Sequence, residues 1–180
     1  QNVQIEHIVG QRYGKIVGVS YVRDNDGNIV YDLDDDNVPY AREGERKILG
    51  DGVAPWSMGW SNNFTFGDFN LSFLVDGKFG GQVFSGTNTF AYGSGLHKTT
   101  LEGRENGLTV TGIDGSAFDA ETGTGTSFTT TIAPEDLGTY YNQINDIAEE
   151  FVEDADYIKF RELSFGYSFP KDILDRTFLT

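Results

Sequence analysis

The sequence predicts an all-β chain of antiparallel strands forming part of a transmembrane β-barrel, with long extracellular loops and a short loop helix. Three observations carry this. Gly is frequent at 23 residues, Phe and Tyr reach 14 and 9, and Met occurs once, a composition that favours strands and turns over helices. Two stretches alternate between large apolar and small polar residues, the second with a shift of parity midway, as strands with chemically distinct faces do. Between those stretches runs a connection of a length that compact soluble domains seldom carry, whereas outer-membrane barrels pair short turns on one side with long loops on the other.

The first alternating stretch lies in a hairpin at 55–79. Trp56, Met58, Trp60, Phe64 and Phe66 share one parity, with Asn62 among them, while Ser57, Gly59, Ser61, Asn63 and Thr65 share the other. After Gly67-Asp68 the alternation resumes with Phe69, Leu71, Phe73 and Val75 against Asn70, Ser72, Leu74 and Asp76. A two-residue connection containing Gly marks a hairpin, because Gly supplies positive φ. A soluble hairpin packed on a core explains alternation as well as a barrel wall does. The barrel reading assigns Trp56 and Trp60 to the exterior and the small polar parity to the lumen.

The second alternating stretch is a strand at 156–170. Leu163, Phe165, Tyr167 and Phe169 share a parity, but upstream Lys159 and Arg161 fall on it while Ile158 and Phe160 oppose it. The inversion calls for a bulge, or for a strand that leaves the membrane at that point. Pro170 ends the run. Lys171 to Leu174 reads as a short turn, and a further strand is expected to begin near Phe178.

The interval 80–155 reads as a long extracellular loop. It holds Gly80-Gly81, a Gly/Thr-rich segment from Thr122 to Thr131, and a short helix expected between Pro134 and Phe151, opened by Ala133-Pro134-Glu135-Asp136. Before the hairpin, residues 5–22 contain two short β-like pieces broken by Gly10, Gly14 and Gly18, followed by the turn Asp24-Asn25-Asp26-Gly27-Asn28. No apolar run approaches the roughly 20 residues of a transmembrane helix. The N-terminal run from Gln1 to Ile5 shows no basic region or apolar signal core, and both ends read as cuts through a longer chain.

A net charge of −15 argues against nucleic acid, which is bound through clustered Lys and Arg. The absence of Cys removes disulfides, thiolate metal sites and thiol nucleophiles together. No catalytic site is read: His7 and His97 have no nucleophile partner in sequence, no Gly-x-Ser-x-Gly elbow occurs, and paired carboxylates such as Glu149-Glu150 are ordinary in so acidic a chain. The chain is not expected to be an enzyme.

One inorganic site is a candidate. Asp32, Asp34 and Asp36 fall at loop positions one, three and five of a calcium loop, the Val38 carbonyl at seven and Glu43 at twelve. Asn37 replaces the usual Gly and Pro39 the usual Ile or Val. A solvated acidic loop is the competing reading. Tyr92, Tyr140 and Tyr141 are candidates for stacking on a sugar, with burial as the alternative.

Asp154-Ala155-Asp156-Tyr157-Ile158-Lys159-Phe160-Arg161-Glu162-Leu163-Ser164-Phe165-Gly166-Tyr167-Ser168-Phe169-Pro170 resembles a signature near the end of SusC/RagA-type TonB-dependent transporters. Upstream, Tyr140-Tyr141 and Glu150-Phe151-Val152 resemble that family's lead-in. Leu49-Gly50, Pro55 and the run from Trp56 to Gly81 resemble an earlier stretch, and Thr100-Leu101 with Arg104, Gly107 and Gly112 a loop motif. Family members often carry an acidic segment at the place of Asp32 to Asn37. The resemblance covers most of the chain, with Gln143 to Asp146 and the Thr-rich loop outside it, and implies that residues 1–180 are a C-terminal barrel segment whose plug domain lies outside the sequence. It implies a barrel in the outer membrane of a Gram-negative bacterium, importing glycans or peptides. The implied partners are the remainder of the same chain, a SusD-like surface lipoprotein, the TonB complex acting through the plug, and outer-membrane lipid. A soluble extracellular β-rich module, carbohydrate-binding or adhesin-like, is the alternative.

Overall fold

A computed structural model describes residues 3–35 and 37–175 of the chain. Strand accounts for 48% of the chain and helix for 18%, so it is mostly β. The strand expected near Phe178 lies outside the described residues. Chain contacts divide the molecule into two units, 1–53 with 82–153, and 54–81 with 154–180.

The first unit holds β1 (Val3–Glu6), β2 (Lys15–Tyr21), β3 (Val30–Leu33), β4 (Pro39–Ala41) and β5 (Glu43–Asp51). β1, β2 and β5 form one antiparallel sheet. All seven residues of β2 are buried, including Lys15, whose ammonium lies 2.5 Å from Asp51 of the facing strand. An isolated buried ammonium would be costly, and this cross-strand carboxylate answers it.

The second unit begins with β6 (Trp56–Phe66) and β7 (Phe69–Phe79). The chain then returns to the first unit as β8 (Gln82–Phe84), α1 (Gly86–Gly93), β9 (Leu108–Asp114), β10 (Ser127–Ile132), α2 (Leu137–Ile144) and β11 (Val152–Asp154). It closes in the second unit with β12 (Tyr157–Tyr167) and α3 (Lys171–Leu174).

The interval expected to be one long loop with a single short helix is thus folded. β9 pairs with β10 on one side and, in parallel, with β3 on the other, aligning Val30 with Ile113. This parallel pair departs from the antiparallel arrangement expected throughout. α2 lays Leu137, Tyr140, Tyr141 and Ile144 on a core shared with Tyr21, Tyr31, Val38, Val110, Ile132, Ile147 and Phe151. These positions, three or four apart, make the buried stripe of an amphipathic helix. The core draws on both ends of the unit's sequence, so no local pattern announces it.

The second unit is a sheet in the order β12-β7-β6. β6 and β7 are joined at Gly67-Asp68, with Gly67 at φ 56°. Positive φ at the first central residue alone is the pattern of a II′ hairpin turn. Among the described residues, every buried hydrophobic side chain belongs to the first unit, and the second has none. The described strands do not close into a barrel, and no helix is long and apolar enough to cross a membrane.

Candidate functional site: a two-faced sheet

Residues directly opposite in an antiparallel pair share a face, so the register assigns both faces of the second unit's sheet. Trp56, Met58, Trp60, Asn62, Phe64 and Phe66 of β6 stand opposite Phe79, Gly77, Val75, Phe73, Leu71 and Phe69 of β7. On the far side of β7, the same face continues through Ile158, Phe160, Leu163, Phe165 and Tyr167 of β12. Rings touch along it: Phe73 lies 5.4 Å from Trp60 and 6.3 Å from Phe160, and Phe69 lies 4.6 Å from Tyr167, centroid to centroid. The face is nonetheless uncovered. Trp56, Phe66, Ile158 and Phe165 are 71%, 73%, 70% and 68% exposed.

The parity inversion within β12 has a structural answer. Phe160 stands opposite Val75 and Glu162 opposite Leu74, so Arg161 is an extra residue with no ladder partner. A one-residue bulge restores Ile158 and Phe160 to the apolar face.

The opposite face carries Ser57, Gly59, Ser61, Asn63 and Thr65 of β6, Asn70, Ser72, Leu74, Asp76 and Lys78 of β7, and Tyr157, Lys159, Glu162, Ser164 and Gly166 of β12. Its charges gather at one end. Arg161 forks onto Asp76 at 2.5 and 3.1 Å, the Tyr157 hydroxyl donates to Asp76 at 3.4 Å, and the Lys159 ammonium lies 4.3 Å from the Tyr157 ring centroid.

Among the described residues, the calcium candidates are not brought together. Asp32 accepts a fork from Arg42 at 2.7 and 2.5 Å. Asp34 opens the turn between β3 and β4: its side chain accepts from the Val38 N–H at 2.8 Å, and the Val38 carbonyl accepts from the Asp34 N–H. Asn37 takes φ 61° to close that turn, and Glu43 stands in β5 opposite Tyr21. Asp36 lies outside the described residues. The described members therefore form a hairpin turn with an ion pair at its base. In this arrangement Asp32 is engaged by Arg42, and the Val38 carbonyl accepts from the Asp34 N–H. Among the described residues no three His, Asp or Glu side chains gather as metal ligands.

Tyr92, Tyr140 and Tyr141 are buried in the first unit's core, with Tyr141 only 5% exposed. The Tyr92 hydroxyl donates to Glu150 at 3.3 Å and that of Tyr141 to the Thr99 carbonyl at 3.0 Å. Burial, with neighbouring acidic and phenolic groups, pushes all three phenols above their ordinary range. A sugar ring needs an open aromatic face, and these rings pack on one another: Tyr140 lies 5.3 Å from Tyr141, and Tyr92 lies 5.1 Å from Phe151. Burial replaces the stacking role. Tyr92 and Tyr141 reach the wall of a cleft of about 380 Å³, with Arg104, Pro134 and Gly138.

A carboxylate cluster passed over in the sequence is structural. Glu149 accepts the Tyr21 N–H at 3.0 Å and meets Arg23 at 3.1 Å and Lys47 at 3.2 Å. Glu150 accepts the Tyr21 hydroxyl at 2.8 Å. His97 caps its own turn, its Nδ1 accepting from the Thr99 N–H.

No family model matches the chain. Over 133 residues, 74% of this chain, it is 25% identical to TonB-dependent receptor P3 of Formosa agariphila. The matched region is 11% of that receptor's length. The chain is thus distantly similar to a TonB-dependent receptor, which is compatible with outer-membrane transport.

Proposed function

We propose that this chain is a stretch of barrel wall, with its connecting segments, from an outer-membrane TonB-dependent transporter of the SusC/RagA type. The transporter imports glycans or peptides with a SusD-like surface lipoprotein, in the outer membrane of a Gram-negative bacterium. The observation that carries this reading is the uncovered apolar face spanning three strands of 11 residues each. At about 3.4 Å per residue such a strand measures roughly 35 Å, and tilted by about 45° it spans about 25 Å, the height of the apolar band on a transmembrane barrel. Soluble proteins rarely leave so large a contiguous apolar surface open.

The parts take their roles from this. The apolar face meets lipid, and the Ser-, Asn- and Gly-lined face looks into the lumen. The open edges of β6 and β12 pair with strands from the remainder of the transporter, since a free ladder edge is untenable in hydrocarbon. The TonB complex acts through a plug domain elsewhere in the transporter. The reading gives the chain no catalytic step. Distant similarity to a TonB-dependent receptor supports it, as does the end motif from Asp154 to Pro170.

Fractionation tests it. The protein should stay with the outer membrane through high-salt and carbonate washes and be released only by detergent. Recovery as a stable monomer in plain buffer would favour the soluble binding module instead.

A further inference from the structure

The apolar face of β12 is continuous because one residue is skipped. Read back from Tyr167 by strict alternation, Phe165 and Leu163 would be followed on the same face by Arg161, Lys159 and Tyr157, with Ile158 and Phe160 turned to the polar side. The bulge at Arg161 reverses that assignment for the strand's first half. Bulges in sheets re-aim side chains in this manner.

This bulge is tied down from the neighbouring strand. Asp76 of β7 receives both Nε and Nη2 of Arg161, a bidentate fork that fixes direction as well as distance. The Tyr157 hydroxyl reaches the same carboxylate, and Arg161 Nη2 lies 3.5 Å from that hydroxyl. Asp76 stands opposite Lys159 in the ladder, so the clasp sits on the polar face, where the bulged residue must point if Ile158 and Phe160 are to point the other way.

We propose that Asp76 and Arg161, with Tyr157, are positioning residues that decide which side of the first half of β12 meets lipid and which charged groups face the lumen. The proposal rests on the lipid-facing reading above. With the clasp in place, Lys159 and Arg161 lie on the polar side together with Lys78. Without it, the unbulged register would carry Lys159 and Arg161 to the hydrocarbon side.

These 180 residues contain no cysteine, so an introduced thiol is unique within them, and labelling in membranes of the expressing bacterium is read against the parent protein without it. Ile158→Cys, Lys159→Cys and Phe165→Cys are each treated with a lipid-soluble and a charged, membrane-impermeant maleimide. Positions 158 and 165 should react with the lipid-soluble reagent and position 159 with the charged one. In an Asp76→Ala/Arg161→Ala background, position 165 should be unchanged, while charged-reagent labelling rises at least tenfold at 158 and falls at 159. The swapped pair Asp76→Arg/Arg161→Asp should restore the original pattern. Unchanged labelling at 158 and 159 in the double-alanine background overturns the positioning role while leaving the membrane reading intact. If the alanine variant does not reach the membrane, recovery in the swapped pair supports the role and failure to recover overturns it. If the charged reagent reaches position 165 in the otherwise native protein, the lipid-facing reading fails, and the proposal with it.

Discussion

At the scale of single residues, Glu149 is the informative one. Burial alone would raise its carboxyl pKa, but the Tyr21 N–H, Lys47 and Arg23 outweigh that and hold it below the ordinary carboxylate range. A carboxyl depressed in the folded state contributes stability that is present above its unfolded pKa and lost as pH falls through the lower, folded value. Hydrogen exchange at the β2 amides should therefore accelerate as pH drops below about 4.5, beyond the intrinsic pH dependence of exchange. Glu149→Ala should abolish that acid dependence. It should also cost about 1–3 kcal/mol at neutral pH by leaving the Tyr21 N–H without its acceptor. Phe151, 1% exposed and ringed by Tyr92 and Phe84, is a packing residue, and Phe151→Ala should cost about 3–5 kcal/mol in denaturant unfolding of the first unit. The acidic turn makes the contrasting case. Arg42 holds Asp32 and the Asp34 side chain closes its own turn, so millimolar calcium or EDTA should leave the melting temperature unchanged. A rise with calcium would show that Asp36 and its neighbours can gather around the ion after all.

At the scale of elements, the hairpin was the most legible part of the chain, and its legibility has a physical cause. Alternation is a local property: Trp56 through Phe66 encode the two faces of β6 with no help from the rest of the molecule. Gly67 encodes the turn for the same reason. At φ 56° it occupies backbone space where an L side chain is disfavoured, and Gly67→Val should loosen the hairpin by about 1–2 kcal/mol, read as faster exchange of the β6 and β7 amides. β12 was half legible. Its inverted parity required a break in register, but which residue is skipped depends on Asp76, which stands 85 positions away from Arg161. The first unit was least legible. β3 acquires β9 as a neighbour across more than 80 residues of chain, and Tyr92, Tyr140 and Tyr141 become core only when α1 and α2 pack on those strands. A tyrosine bound for a sugar and one bound for a core look alike in sequence, since both present an apolar ring with a polar tip. The acidic run was legible only in part. Carboxylate spacing was visible, but the competitor that claims Asp32, the Arg42 fork, follows it by ten positions.

At the scale of the whole molecule, the two units solve the burial problem differently. The first closes its own core. Among its described residues, the second holds no buried hydrophobic side chain and leaves the outer edges of β6 and β12 without a partner strand. A sheet in that condition is unstable in water for two separate reasons, and they can be separated experimentally. The apolar face drives association through area, at about 25 cal/mol per Å², without regard to direction. The edges drive it through directed hydrogen bonds to any free strand. The 180-residue chain alone in plain buffer should therefore self-associate, and a mild detergent that covers the face should suppress only the first route. Exchanging Trp60, Phe64, Leu163 and Phe165 for Thr should reduce detergent dependence while leaving the edges able to pair. Placing Arg instead at Trp60 or Leu163 in the membrane protein should cost about 2–4 kcal/mol near the bilayer midplane, whereas Ser61→Arg on the polar face should cost little. Outer-membrane assembly, followed by resistance to heat and detergent on gels, reads both. Equal sensitivity on the two faces would mean that neither meets lipid, and the sheet would then have to be covered by protein.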